Sequence, residues 1–318
     1  MFNLTKIVLI SLIICLGLIA GASLSAQEET IQEVITDEEV SAEDLEVKDP
    51  KLLPDSGFYF LKEWGRGIRS FFTFNKVKKI ELESRYANER LIEIKKMVEQ
   101  NKDPEKIKKA TEKYEKTLDK VKKRSEKIDE KAEENLKVKS FLDKYTHQQI
   151  LHQTILEKLE NQVPAEVFDK IKQARERHLE RFGEVMTKLE NKEKIEERLE
   201  NALEEINGSK FKNFKNLEIL MKIEEKVPEQ AKEAIRKAEE NALKRLQGDL
   251  EKMSPEDQER FQKYIEQISG DKEKQLEILE NLRTGLKENS EIEEKLMESR
   301  EKILEKIPAE IKIKKIEK

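Results

Sequence analysis

Residues 103–132 read DPEKIKKATEKYEKTLDKVKKRSEKIDEKA, and this stretch decides the fold class. Asp103 can cap a helix that begins at Pro104, since the first helical turn does not use the amide hydrogen that proline lacks. A sustained period of 3.5 residues follows, which predicts a long helix that supercoils against a neighbour. Two of the eight inward positions are polar, so we expect an antiparallel hairpin within the chain, although a second copy could also supply the neighbour. These positions are Ile107, Thr111, Tyr114, Leu118, Val121, Ser125, Ile128 and Ala132.

The composition favours thin apolar seams over a thick core. Charged residues make up 41% of the 318 residues, against roughly 25% in an ordinary globular protein. Only 36% are hydrophobic, and glycine (10) and proline (7) are scarce. We therefore predict an all-α fold, an elongated array of antiparallel helices or helical hairpins with coiled-coil-like seams.

The N-terminus has the layout of a targeting segment. A short stretch with one positive charge, Lys6, precedes a nearly continuous apolar run from Ile7 to Ala20, and small residues follow. Residues 1–26 are therefore predicted to be a secretory signal peptide or, if they are not cleaved, a membrane anchor. Because the positive charge precedes the apolar run, both interpretations give an extracytoplasmic protein, secreted or tethered to the membrane by residues 7–26.

Residues 27–49 hold ten acidic residues and one lysine, and they contain no aromatic residue. We predict an acidic disordered spacer here, because like charges repel and little apolar surface is available for burial. The rest of the chain is nearly neutral, with both signs of charge interspersed. A nucleic acid usually selects a basic face, so we expect no nucleic-acid partner.

Residues 51–75 read KLLPDSGFYFLKEWGRGIRSFFTFN and concentrate the aromatic side chains of the chain. Asp55 or Ser56 can cap a helix that begins near Gly57. Helical apolar stripes usually face protein, so we favour packing of this segment against the helices that follow. The alternative is an interfacial membrane helix, with aromatic rings in the lipid and cations at the headgroups. The candidate patch comprises Phe58, Tyr59, Leu61, Trp64, Ile68, Phe71, Phe72 and Phe74.

Several motifs here resemble an uncharacterised bacterial family, known only as a domain of unknown function. Its pattern is PDSxxYxxK, then an FFTF-like block and a long charged helix with an ERL-type motif. The chain has Pro54-Asp55-Ser56, Tyr59 and Lys62, then Phe71 to Phe74, and later Glu89-Arg90-Leu91. The similarity covers about residues 50–130 well and the later helices loosely. It implies an exported or membrane-tethered helical protein, and it implies no activity, ligand or catalytic residue.

The second half of the chain repeats itself. Residues 155–182 and 219–246 match at eleven of 28 aligned positions, among them a Val-Pro pair at 163–164 and 227–228. A repeat of helical segments is typical of stacked helix units. We therefore divide the chain beyond the spacer into two parts: an aromatic segment with a long helical hairpin over 50–148, and tandem helical repeats over 149–318.

The sequence offers little chemistry. The three histidines are His147, His152 and His178, and the first two do not share a helix face well. The single cysteine, Cys15, lies in the N-terminal apolar run. His178 lies on an apolar helical stripe and is expected to be a core or seam histidine. We predict no catalytic residue, no cofactor and no metal site, and hence a protein that is not an enzyme.

The leading hypothesis for function is a non-enzymatic extracytoplasmic scaffold or protein-binding module. One alternative is a membrane-surface protein that uses the aromatic segment 58–74, and another is an ATP-independent chaperone of the periplasmic type. The expected partner is an unknown protein or a membrane surface, and a homo-oligomer is compatible with the heptads.

Overall fold

The computed structural model describes residues 39–206, 211–268, 270–286 and 291–307. Within these ranges the chain forms eleven α-helices and no β-strand, which confirms the predicted all-α helical array. The predicted signal or anchor, residues 1–26, lies outside them. The helices are α1 (Tyr59–Phe71), α2 (Lys76–Glu99), α3 (Pro104–Ser125), α4 (Leu136–Gln162), α5 (Ala165–Leu189), α6 (Lys192–Glu204), α7 (Lys212–Lys226), α8 (Glu229–Lys252), α9 (Pro255–Gln267), α10 (Lys272–Gly285) and α11 (Glu291–Lys306).

The connection between α2 and α3 contains the helix cap that the sequence predicts at Asp103. Pro104 is the first residue of α3, and the Asp103 carboxylate accepts a 3.0 Å hydrogen bond from the Lys106 amide. Just before it, Asn101 adopts a positive φ of 49°, in the left-handed region that asparagine tolerates better than most residues. The cap and the turn together reverse the chain, so that α3 packs against α2.

Helices α2, α3, α4 and α5 form a four-helix bundle. Helix α2 packs on α3, α3 on α5, α5 on α4 and α4 on α2, which closes the ring. All eight inward positions of the 107–132 seam are buried, as predicted. Helix α3 itself ends at Ser125, so the last two positions, Ile128 and Ala132, lie in the connection to α4.

A polar network crosses the centre of this bundle. The Tyr114 hydroxyl lies 3.0 Å from Nδ1 of His152, and Nε2 of His152 lies 2.8 Å from the side-chain oxygen of Asn88. On the next helix, Nε2 of His178 lies 3.1 Å from the side-chain oxygen of Gln149. Both histidines are fully buried, so His178 is the core histidine that the sequence predicted.

The similarity between 155–182 and 219–246 has a structural counterpart. The Val-Pro pairs at 163–164 and 227–228 join α4 to α5 and α7 to α8 with nearly the same backbone. Val163 has φ and ψ of -78° and 152°, and Val227 has -82° and 157°. In each case the proline lies just before the helix and shapes its entry. The sequence-based division at 148/149, by contrast, falls inside α4, which packs on both α2 and α6.

Residues 39–49 differ from the disordered spacer predicted over 27–49. Val40, Leu45 and Val47 are buried, and the backbone carbonyl of Leu45 accepts a 3.0 Å hydrogen bond from the Asn88 side chain. Three acidic side chains of this stretch pair with lysines of the helices: Glu39 with Lys95 at 3.1 Å, Glu46 with Lys144, and Asp49 with Lys96. Three apolar residues and matched charges thus attach this part of the segment to the bundle.

Candidate functional site

The apolar face of α1 points away from the protein. Eight large apolar side chains in and beside this helix have exposed fractions between 40% and 83%. The sequence favoured packing of this segment against the helices that follow. Tyr59, which is 3% exposed, packs in this way, whereas the rest of the predicted patch is exposed. We call the eight exposed residues the aromatic surface: Phe58, Phe60, Leu61, Trp64, Ile68, Phe71, Phe72 and Phe74.

Helix α1 attaches to α2 by its polar face, and Arg66 is the centre of the contact. The guanidinium is buried between the helices, where Nη2 donates hydrogen bonds of 2.8 Å to Glu89 and to Glu93. Its Nη1 donates to Glu63 at 2.7 Å and to the Tyr59 hydroxyl at 2.9 Å. The Tyr59 hydroxyl in turn donates to Glu93. A buried charge is thus paired on several sides, which is the arrangement that offsets its desolvation.

The protonation states of this contact follow from its geometry. Burial, reinforced by the charge of Glu93, raises the pKa of Tyr59 well above its ordinary value, so the phenol remains a neutral donor. Burial alone would lower the pKa of Arg66, but the charge of Glu93, with the charge and hydrogen bond of Glu89, outweighs it and holds this pKa above its ordinary value. Arg66 therefore stays charged throughout the physiological range.

Two further contacts fix the helix along its length. The Glu63 carboxylate accepts a 2.8 Å hydrogen bond from Arg90 as well as the one from Arg66. Burial would raise the pKa of Glu63, but these two guanidinium groups together lower it below its ordinary value. Near the other end of α1, the Ser70 hydroxyl donates a 2.6 Å hydrogen bond to buried Glu83. Helix α1 is thus held in one orientation, with its aromatic face outward.

The interfacial interpretation places the cations of α1 at the lipid headgroups. The structure shows that not all of these cations are available for that role. Lys62 forms a 2.6 Å ion pair with Glu93, and Arg66 is buried in the contact with α2. Arg69, in the last turn of α1, is exposed and forms no ion pair with any residue of the described ranges. Of the cations of α1, Arg69 is therefore the one that has no ion-pair partner among the described residues, and it lies beside the C-terminal end of the aromatic surface.

Sequence reasoning omitted Phe60 from the patch, although it is 63% exposed. Phe60 lies off the main apolar stripe, so helical spacing alone does not assign it to the patch. It belongs to the patch because it is exposed beside the other exposed aromatic residues. The predicted cap also differs. Helix α1 begins at Tyr59, and the Ser56 side chain accepts a 3.3 Å hydrogen bond from the amide of Phe58. The turn thus ends two residues later than expected.

The described ranges lack two features that would mark other kinds of site. Their His, Cys, Asp and Glu side chains form no group of three or more that could hold a metal ion. None of the helices in these ranges has the length and apolar character that a membrane crossing requires.

Residues 51–166 match the model of a domain of unknown function (DUF5667). The match runs from just before α1 to the first residues of α5 and covers less than half of the chain. It confirms the coarse resemblance that the sequence motifs indicated. No curated protein and no solved structure matches the chain. The aromatic surface and its contact with α2 both lie inside the matched residues.

Proposed function

We propose that this protein is a non-enzymatic, extracytoplasmic helical scaffold that lies on a membrane surface and docks there through the aromatic surface of α1. The observation that carries this proposal is the orientation of α1. The helix uses its polar face to bind the body and leaves eight large apolar side chains exposed. Contiguous exposed apolar patches on proteins typically mark interaction or membrane sites.

The chemistry of the patch favours a bilayer as the occupant. Phenylalanine and tryptophan are the side chains that interfacial helices place at the acyl boundary. If the interface covers the eight side chains, each contributing about 1 to 2 kcal/mol, the gain is on the order of 10 kcal/mol. That gain is ample for stable association with a membrane.

The position of the aromatic surface in the chain also supports a membrane as its partner. The predicted signal or anchor segment, residues 1–26, precedes the described helices, and residues 27–38 separate it from the first described residue. Twelve residues span at most about 40 Å. An anchored N-terminus would therefore hold Glu39 within about 40 Å of the bilayer, and a signal peptide would deliver the protein to the extracytoplasmic compartment.

Flotation with vesicles of phosphatidylcholine and phosphatidylglycerol tests the proposal. We expect the chain of residues 27–318, which keeps every described residue, to float. The variant Trp64→Ser/Phe71→Ser/Phe72→Ser should lose most of this binding. A matched control, Leu136→Ser/Phe168→Ser, removes apolar side chains that are exposed on α4 and α5 and should still float.

Two results of this experiment would argue against the proposal. Absence of flotation by the parent chain would favour a protein partner, the second candidate, since exposed aromatic side chains are also typical anchors of protein interfaces. Equal flotation of the aromatic variant would place membrane binding elsewhere on the molecule. In the first case, suppression of client aggregation would then separate a chaperone from a scaffold.

A further inference from the structure

A cleft of about 540 Å³ opens where the C-terminal end of α1 meets α2 and α4. Arg69 from α1 and Thr73 from the following connection line it, and Phe72 of the aromatic surface lies between them in the chain. The cleft therefore borders the aromatic surface. Its volume lies within the range of small-ligand sites, roughly 300 to 1,000 Å³.

Cations dominate the lining of this cleft. Arg69, Lys78, Arg85 and Lys144 face two carboxylates, Glu46 and Glu81. Lys144 pairs with Glu46, and Arg85 pairs with Glu89 on its own helix. Arg69 and Lys78 form no ion pair with any residue in the described part of the chain. Counting these four cations and two carboxylates, the lining thus carries a net positive charge.

The wall of the cleft also holds an unused hydrogen-bonding group. Ser84 lines the cleft and is 4% exposed, and its hydroxyl has no hydrogen-bond partner among the described residues. A buried hydroxyl without a partner costs about 1 to 3 kcal/mol. Beside it lie the stacked rings of Phe141 and Tyr145, with centroids 5.3 Å apart. The cleft therefore combines cationic side chains with a wall that holds Ser84 and two aromatic rings.

We infer that this cleft binds the phosphate group of an anionic phospholipid headgroup. The inference rests on the proposed function, because insertion of the aromatic surface would bring the adjoining cleft to the level of the headgroups. Guanidinium and ammonium groups are the usual ligands of phosphate oxygens, and Arg69 and Lys78 are both unpaired. A soluble phosphate ester has the same chemistry, but the aromatic surface at the edge of the cleft favours a lipid.

The full chain, reconstituted into vesicles, provides the test. Trp64 is the only tryptophan of the chain and belongs to the aromatic surface. We expect stronger quenching of its fluorescence by brominated phosphatidylglycerol than by brominated phosphatidylcholine at the same mole fraction. Arg69→Gln/Lys78→Gln should remove this preference and keep the quenching by phosphatidylcholine. Lys237→Gln/Lys244→Gln, with the same loss of charge on α8, should retain the preference.

The other outcomes are decisive as well. Equal quenching by the two lipids in the parent chain, or a preference that survives Arg69→Gln/Lys78→Gln, would overturn the inference and leave the membrane proposal intact. No quenching by either lipid would refute the membrane proposal itself. Glycerol phosphate, added at an ionic strength matched with sodium chloride, separates the two sources. If glycerol phosphate binds the protein without vesicles and Arg69→Gln/Lys78→Gln abolishes that binding, while the parent chain is quenched equally by the two lipids, the ligand is a soluble ester and the lipid assignment fails.

Discussion

Arg66 of α1 donates a 2.8 Å hydrogen bond from Nη2 to Oε1 of Glu93 in α2, and both side chains are buried. This pair reverses the usual arrangement of an amphipathic helix on a protein. The charged face lies inside and the aromatic face lies outside. The orientation of α1, and with it the proposed membrane surface, therefore depends on a buried ion pair.

Replacement of Arg66 by alanine should release α1 from the body. The change leaves buried carboxylates short of a partner, and breaking a buried ion pair in this way costs about 3 to 5 kcal/mol. Hydrogen exchange in α1 should accelerate on the order of a hundred-fold, while exchange in α3 changes little. Arg85→Ala is the control. Arg85 is exposed and pairs with Glu89 at 3.3 Å, so its loss should alter stability by no more than about 0.5 kcal/mol. Unchanged exchange in α1 of the Arg66 variant would refute the role of this contact.

A pair of glycine variants tests the packing of the second half. A Cβ atom on Gly183 in α5 would lie 2.6 Å from Cγ1 and 2.9 Å from Cβ of Val227, which joins α7 to α8. Gly183→Ala should therefore lower the free energy of unfolding by about 1 to 3 kcal/mol. On α8, Gly248 has no atom within 4 Å of such a Cβ, and Gly248→Ala should raise the same quantity by about 0.5 to 1 kcal/mol. Denaturant titrations measure both, and stabilisation by both substitutions would contradict the close approach.

The buried histidines predict a loss of stability in mild acid. Burial, with the nearby charge of Arg175, lowers the pKa of His178 to about 3, and burial also lowers the pKa of His152. In the unfolded chain, histidine has a pKa of about 6.5. Below that pH the unfolded chain binds a proton at each of these histidines, whereas the folded protein keeps them neutral. The free energy of unfolding should therefore be unaffected above that pH and should fall below it, by about 1.4 kcal/mol per pH unit for each histidine.

Urea titrations at several pH values check this expectation. For His178 alone, the loss at pH 5 should be about 2 kcal/mol relative to pH 7. His178→Gln removes the titrating group, so the variant should show a smaller pH slope even if its stability at pH 7 is lower. An unfolding free energy that stays constant between pH 7 and pH 5 would contradict the neutral buried histidines.

Much of the helical bundle could be predicted from sequence. The Asp103-Pro104 start and the eight-position seam both follow from local rules of capping and periodicity. Such rules act within a few residues and need no knowledge of distant partners. The burial of Leu45 was not predicted, because the spacer was inferred from the overall acidic charge of residues 27–49. That overall charge says nothing about the few apolar residues among them that contact the bundle.

The outward direction of α1 could not be derived from its apolar stripe. Periodicity identifies two faces of a helix but does not say which of them meets the body. The informative signal lies on the other face, where Tyr59, Glu63, Arg66 and Ser70 recur at spacings of four, three and four. This polar stripe is matched by the acidic residues of α2, and only the tertiary structure shows that the two meet.

The most direct test of the membrane proposal is the depth of Trp64 in a bilayer, measured on the full chain in vesicles. Trp64 is 69% exposed in the protein alone, and no second tryptophan obscures its signal. Docking through the aromatic surface predicts blue-shifted emission, quenching by lipids that are brominated along the acyl chain, and protection from acrylamide in the water. Red-shifted tryptophan emission, together with quenching by acrylamide and no quenching by brominated lipid, would contradict docking through the aromatic surface.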